Sequence, residues 1–240
     1  MIKLMLGAVL LATVGTLTIN ETRAASVNNG DVLTITGPSY NPVTGYISSG
    51  SYFVMDINGD GAVGAFEKAG ISQGTTGIVI GSTTPQGASH GGFPTASDSN
   101  AVDQPWGFFG GTGSDYLRVA VTGSTTSGLN LSGWTVTWNG IPAINMGGGA
   151  WKPTNCASLG CGSHTFTSGN AQFVWDGVYG NSYVLNYAAI VPSDGTTNFG
   201  NVHYFLHLEG TVVPIPAAFW LLASGLVGLM SVTRRRKIFS

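Results

Sequence analysis

Trp134-Thr135-Val136-Thr137-Trp138 is the stretch whose reading decides the fold. Successive side chains of an extended strand point to opposite faces, so Trp134, Val136 and Trp138 share one face and Thr135 and Thr137 the other. That is the pattern of a sheet buried on one side. Working outward, short alternating or apolar runs recur near Val32-Thr36, Tyr46-Ile57, Gly77-Ile80, Trp106-Phe109, Tyr116-Val121, Ala171-Trp175, Tyr183-Val191 and Val202-Leu208, separated by turns rich in Gly, Asn, Ser and Thr. No long stretch before Val212 has helical periodicity. The expected fold class is therefore all-β, an antiparallel β-sandwich or jelly roll, with a long surface loop over Gly81-Gln104.

The two ends of the chain read differently. Lys3, the apolar run Leu4-Leu17 and the small residues Ala24 and Ala25 form a secretory signal peptide over residues 1–24, with Thr22 suitably placed for a cut after Ala24. At the other end, residues 211–240 hold Val213-Pro214-Ile215-Pro216-Ala217, an apolar run to Val232, and the basic cluster Arg234-Arg235-Arg236-Lys237. Such a run is long enough to cross a bilayer as one helix, with the basic cluster held on the cytoplasmic side. Residues 25–210 between the signals are enough for one β-rich domain facing outward. That domain carries ten acids against Lys68, Arg118 and Lys152 only, a net charge of about −7, although the whole chain's formal charge is −2. A phosphate backbone is a poor partner for such a surface, so no nucleic acid is expected; a cation is a good one.

A short Pro-containing motif, an apolar helix and a basic stop, in that order, closely resemble the VPLPA variant of the PEP-CTERM sorting signal, with Ile215 where Leu is usual. The resemblance implies an exported protein of a Gram-negative bacterium, recognised by an exosortase and cut near the motif. It would be anchored in the inner membrane as a precursor, then placed at the cell surface or in the extracellular matrix. The same residues also suit an ordinary single-pass anchor whose prolines stop a preceding strand. Ser51-Asp56, Gly87-His90, Ser132-Ile144 and Leu206-Gly210 add a second resemblance, to β-rich domains within the same family. It implies a surface or exopolysaccharide (biofilm) setting and no shared catalytic activity.

The strongest chemical motif is Asp56-Ile57-Asn58-Gly59-Asp60-Gly61-Ala62-Val63-Gly64-Ala65-Phe66-Glu67, which meets the calcium-loop pattern D-x-[DN]-x-[DN]-G-x5-E at every required position. A hard cation needs six to eight oxygens. Asp56, Asn58 and Asp60 would supply side chains, Ala62 its carbonyl and Glu67 a bidentate carboxylate, while Gly61 permits the sharp turn. Tyr52-Met55 leads in as strand and at most a turn of helix follows Glu67, so a lone extracellular-type Ca2+ loop is expected, with Kd on the order of 10⁻⁴ to 10⁻³ M. The same Asn and Gly residues would equally serve as a plain turn.

Cys156 and Cys161 are the only cysteines, and in an exported protein their even number points to a disulfide. His203, His207 and Glu209 fall on one strand face, but the two imidazoles are about 13 Å apart on an extended strand, too far to share a metal. A polar strand face under solvent or a loop is expected there. Trp106 and Trp151 lie beside Gly/Pro-rich loops and are the candidates for exposed sugar platforms. Trp134 and Trp138 belong to the buried face. The sequence therefore favours an exported structural surface or matrix protein, with an extracellular carbohydrate-binding module, or a polysaccharide-active enzyme, as the alternative. No nucleophile elbow, P-loop, H-E-x-x-H or dinucleotide fingerprint occurs, and no catalytic residue is assigned.

Overall fold

The computed structural model describes residues 25–71, 77–83, 113–138, 141–193 and 198–214, with the backbone alone for 113–116, 137–138 and 142. The expected signal peptide, the apolar helix and basic tail, the strand at 106–109 and most of the loop at 81–104 lie outside the described residues. Among the described residues no helix is long and apolar enough to cross a membrane.

In chain order the strands are β1 (Val32–Thr34), β2 (Ser39–Tyr40), β3 (Ile47–Ser49), β4 (Tyr52–Met55), β5 (Lys68–Gly70), β6 (Gly77–Val79), β7 (Gly113–Leu117), β8 (Gly123–Ser124), β9 (Gly128–Asn130), β10 (Trp134–Trp138), β11 (Ile141–Asn145), β12 (Gly149–Ala150), β13 (Asn170–Val174), β14 (Ser182–Ile190) and β15 (His203–Val213). All their pairings are antiparallel. The all-β, antiparallel expectation therefore holds. Short 3-10 turns at Ala65–Glu67 and Cys156–Leu159 are the helical pieces among the described residues.

The centre is the long pair β14 and β15, matched from Ser182↔Thr211 to Ile190↔His203. Flanking strands then share the outer edges of this pair. β15 takes β4 along Tyr204–His207 and β1 along Val212–Val213, and β14 takes β13 at one end and β12 at the other. With β5, β6, β8 and β9 these make a ten-stranded sheet. Where β4 and β1 part, the Ser51 hydroxyl fills the ladder, accepting the Glu209 N–H at 2.9 Å and donating to the Glu209 carbonyl at 3.2 Å. An unpaired N–H there would cost stability; the Ser51 hydroxyl satisfies it, while the Glu209 carbonyl also accepts the Thr36 N–H at 2.7 Å.

Alternation along these strands separates two cores. Phe53, Leu185, Tyr187, Ala189, Tyr204, Leu206 and Leu208 point to one side, where the three-stranded sheet β11-β10-β7 covers them. Trp134 is the main contact, its ring meeting Phe53 edge-on at 6.2 Å and Tyr204 at 6.0 Å. Tyr52, Val54, Ala188 and Phe205 point to the other side and pack with Val63, Cys156, Cys161 and Phe166. The large sheet is thus buried on both faces.

Several expected boundaries are corrected. The run Tyr46–Ile57 is two strands, broken at Gly50, whose φ of +82° and contact with the Gly37 carbonyl exclude a side chain. The strand expected over Tyr116–Val121 lies earlier and turns away after Leu117. Thr135 does not face solvent: it is 2% exposed, its hydroxyl donating to the Gly133 carbonyl at 3.3 Å. Trp134 is buried as expected, while the Trp138 side chain lies outside the described ones. β15 runs five residues beyond the expected Leu208, through Val213, and Pro214, with no N–H to give the ladder, ends it.

Candidate metal centre

The twelve-residue loop leaves the end of β4, makes its 3-10 turn at Ala65–Glu67 and returns as β5, which pairs with β4. The strand-loop-turn-strand frame explains why the flanks lack helical periodicity. Gly59 and Gly61 both have positive φ, at +71° and +73°, as the sharp reversal requires.

Two of the loop's three acidic side chains, Asp56 and Glu67, are turned inward, while Asp60 is exposed. Glu67 is 1% exposed; its Oε1 accepts the N–H groups of Ile57 at 3.0 Å and Asn58 at 3.3 Å, and its Oε2 accepts Gly64 N–H at 2.9 Å. The Asp56 side chain is 1% exposed. Its Oδ2 accepts Gly61 N–H at 3.0 Å and lies 3.5 Å from His203 Nδ1, while its Oδ1 is buried with no hydrogen-bond partner. Asn58 Oδ1 accepts Asp60 N–H at 2.9 Å, and Asp60 Oδ1 accepts Ala62 N–H at 2.7 Å. No group of three or more His, Cys, Asp or Glu side chains converges on one point among the described residues.

These residues fit a hard cation in two respects. The donor set is all oxygen, and a buried carboxylate oxygen without a partner is costly unless something positive reaches it. Asp60 and Asn58 are both exposed, and Asn58 Nδ2 donates to Asp60 Oδ2 at 2.9 Å, so a cation would have to compete with hydrogen bonds within the loop rather than with core packing.

The disulfide joins Cys156 and Cys161 with Cα atoms 5.2 Å apart, both cysteines buried. Its loop lies directly against the acidic one. Thr154 N–H donates to Gly61 carbonyl at 2.8 Å, and the Asn155 side chain bonds both backbone groups of Val63 at 3.0 Å each. The two motifs, separate in sequence, form one structural unit on the second face of the large sheet.

The histidines of β15 differ: the His203 side chain is 37% exposed, whereas His207 is buried. His203 stacks on Trp151, centroids 5.0 Å apart, and Trp151 is half-buried, with one face of its indole taken by the imidazole. Trp106 lies outside the described residues. His207 is held between Asn186 Oδ1 at 2.7 Å and Glu209 Oε1 at 3.0 Å, with Tyr52 stacked at 4.8 Å and the Lys68 ammonium 4.2 Å above that Tyr ring. Burial pushes the His207 imidazole below its ordinary pKa, opposed by Glu209 and reinforced by Lys68.

Between the two sheets lies an apolar cavity of about 230 Å³, bounded by Phe53, Met55, Val136, Ile144, Met146 and Tyr204. Its lining supplies dispersion contacts and no charged group. Of the sorting motif, Val213 closes β15 and Pro214 follows it; Ile215, Pro216, Ala217 and Arg234-Arg235-Arg236-Lys237 lie outside the described residues.

Sequence reasoning missed Asn155 and His203 as neighbours of the acidic loop. Asn155 is a short polar residue beside a cysteine, which reads as turn chemistry and carries no signal of its distant partner. Compared with family models, with curated proteins and with solved structures, the chain finds no match.

Proposed function

We propose that this chain is an exported structural protein of the cell surface or extracellular matrix, an antiparallel β-sandwich stiffened by one Ca2+ loop and one disulfide. Its delivery follows from the signal peptide and the VPLPA-like tail, with an exosortase as processing partner and exopolysaccharide as the surrounding material. The single observation that carries the structural role is the wholly buried Asp56 carboxylate, one oxygen of which has no partner, inside a loop bonded to the disulfide turn. A cation there would neutralise Asp56 and Glu67 and lock β4 to β5, adding stability where calcium is plentiful and little elsewhere.

Asp56, Asn58, Asp60, the Ala62 carbonyl and Glu67 would hold the ion, and its chemistry would be charge neutralisation and cross-linking of the loop. Thermal unfolding with and without millimolar calcium tests the reading. The midpoint should rise with calcium in the natural chain and not in Asp60→Ala; an unchanged midpoint in the natural chain would sink it.

A further inference from the structure

We propose that Asn155 is a positioning residue of the cation loop, so that the disulfide-closed turn is a working part of the calcium site and not merely its neighbour. This rests on the calcium reading above and goes on to say what orients the ligands.

Val63 sits between two groups the ion would need, the Ala62 carbonyl and the Gly64 N–H that anchors the Glu67 carboxylate. The Val63 N–H donates to Asn155 Oδ1 at 3.0 Å, and the Val63 carbonyl accepts from Asn155 Nδ2 at 3.0 Å. In a planar trans peptide the C=O and N–H point in opposite directions. Aiming the Val63 N–H at Asn155 therefore aims the Ala62 carbonyl away from it. Holding the Val63 carbonyl on Asn155 likewise sends the Gly64 N–H the other way, to Glu67 Oε2 at 2.9 Å. One side-chain amide thus directs a backbone ligand and the support of the bidentate carboxylate to the same side of the chain.

Asn155 is itself fixed from behind. Its carbonyl accepts Ser158 N–H at 3.0 Å and the Ser158 hydroxyl at 2.8 Å, and the next residue is Cys156, whose carbonyl accepts Cys161 N–H at 3.1 Å. Val63, Cys156 and Cys161 share one buried cluster. Rigidity from the disulfide therefore passes through Asn155 to the loop, which lowers the ordering cost of binding.

The test is calcium titration calorimetry on the full chain, paired with thermal midpoints in chelator. Loss of two hydrogen bonds in Asn155→Ala should weaken calcium binding about tenfold, whereas Ser127→Ala, in the exposed β8–β9 turn at the opposite edge of the large sheet, should leave affinity unchanged. A lowered midpoint with unchanged affinity in Asn155→Ala would show a purely structural residue and overturn the proposal. Should that variant fail to fold, the natural chain treated with a phosphine reductant must show the same weakening, and undiminished affinity would overturn it. A flat titration of the natural chain overturns the calcium reading as well, and so is told apart from failure of Asn155 alone.

Discussion

Trp151 lies flat on His203, the rings 5° from parallel with centroids 5.0 Å apart, and His203 Nδ1 in turn faces Asp56 Oδ2 at 3.5 Å. An indole is thereby linked to the first carboxylate of the acidic loop through one imidazole. A cation drawn to Asp56 competes for the carboxylate that His203 faces, so the stack on Trp151 should relax. Tryptophan emission is expected to change on calcium addition, and the change should be largely absent in Trp151→Phe. Identical titration curves for the two chains would break the link.

Trp134 joins the two sheets through its edge contacts with Phe53 and Tyr204. Trp134→Ala should destabilise the domain by about 3–5 kcal/mol, since the cavity left between two sheets cannot close without moving both. Chemical denaturation checks this. A loss under about 1 kcal/mol would mean the three-stranded sheet contributes little to the shared core.

The Cys156–Cys161 bridge closes a short loop. Replacing both cysteines by serine should cost about 2 kcal/mol on the chain-entropy account, less than a bridge over a long loop would give. The same denaturation experiment, run with and without reductant on the natural chain, reads the difference.

His207 gives a pH dependence of definite sign. Its pKa is lowered in the folded chain by burial, opposed by its hydrogen bond to Glu209 and that residue's charge, and lowered further by Lys68. The neutral imidazole is thus favoured by folding, so stability is fully present above the unfolded value of about 6.5 and declines as pH falls below it. His164, lowered by burial and by Lys152, acts in the same direction. The stability slope between about pH 6.5 and 5 should flatten in His207→Gln, a prediction that equilibrium unfolding across that range decides.

Sequence and structure agree where a local rule governs. β10 occupies the five residues whose alternation announced it, and β13 and β14 are displaced by about one residue. The cysteine pair was legible because the chain holds just two cysteines, five residues apart, and the expected export would favour their oxidation. Thr135 shows the limit of alternation, which assigns side chains to faces but cannot say whether the second face is covered. β5 has only Lys68-Ala69-Gly70, too short for any pattern, and exists because β4 offers an edge. The continuation of β15 to Val213 was hidden by Gly210, which reads as a strand end yet serves there to admit the Thr34 carbonyl of β1. The joining of the acidic loop to the disulfide turn spans 92 residues between Val63 and Asn155, a tertiary contact that no local pattern encodes.

The end of β15 bears on the proposed processing. Val212 is fully buried and pairs with Leu33, and Val213 pairs with Val32, so a cut before Val213 would take residues from the sheet, whereas a cut after Pro214 would not. The most direct test of the account is therefore the intact, unreduced mass of the chain from its native host, grown with and without the exosortase. The predicted result is a species lacking the leader, two mass units lighter for the disulfide, and cut beyond Val213 only when the enzyme is present. A chain retaining its apolar tail and Arg234-Arg235-Arg236-Lys237 in both strains would contradict the sorted, surface-delivered protein proposed here.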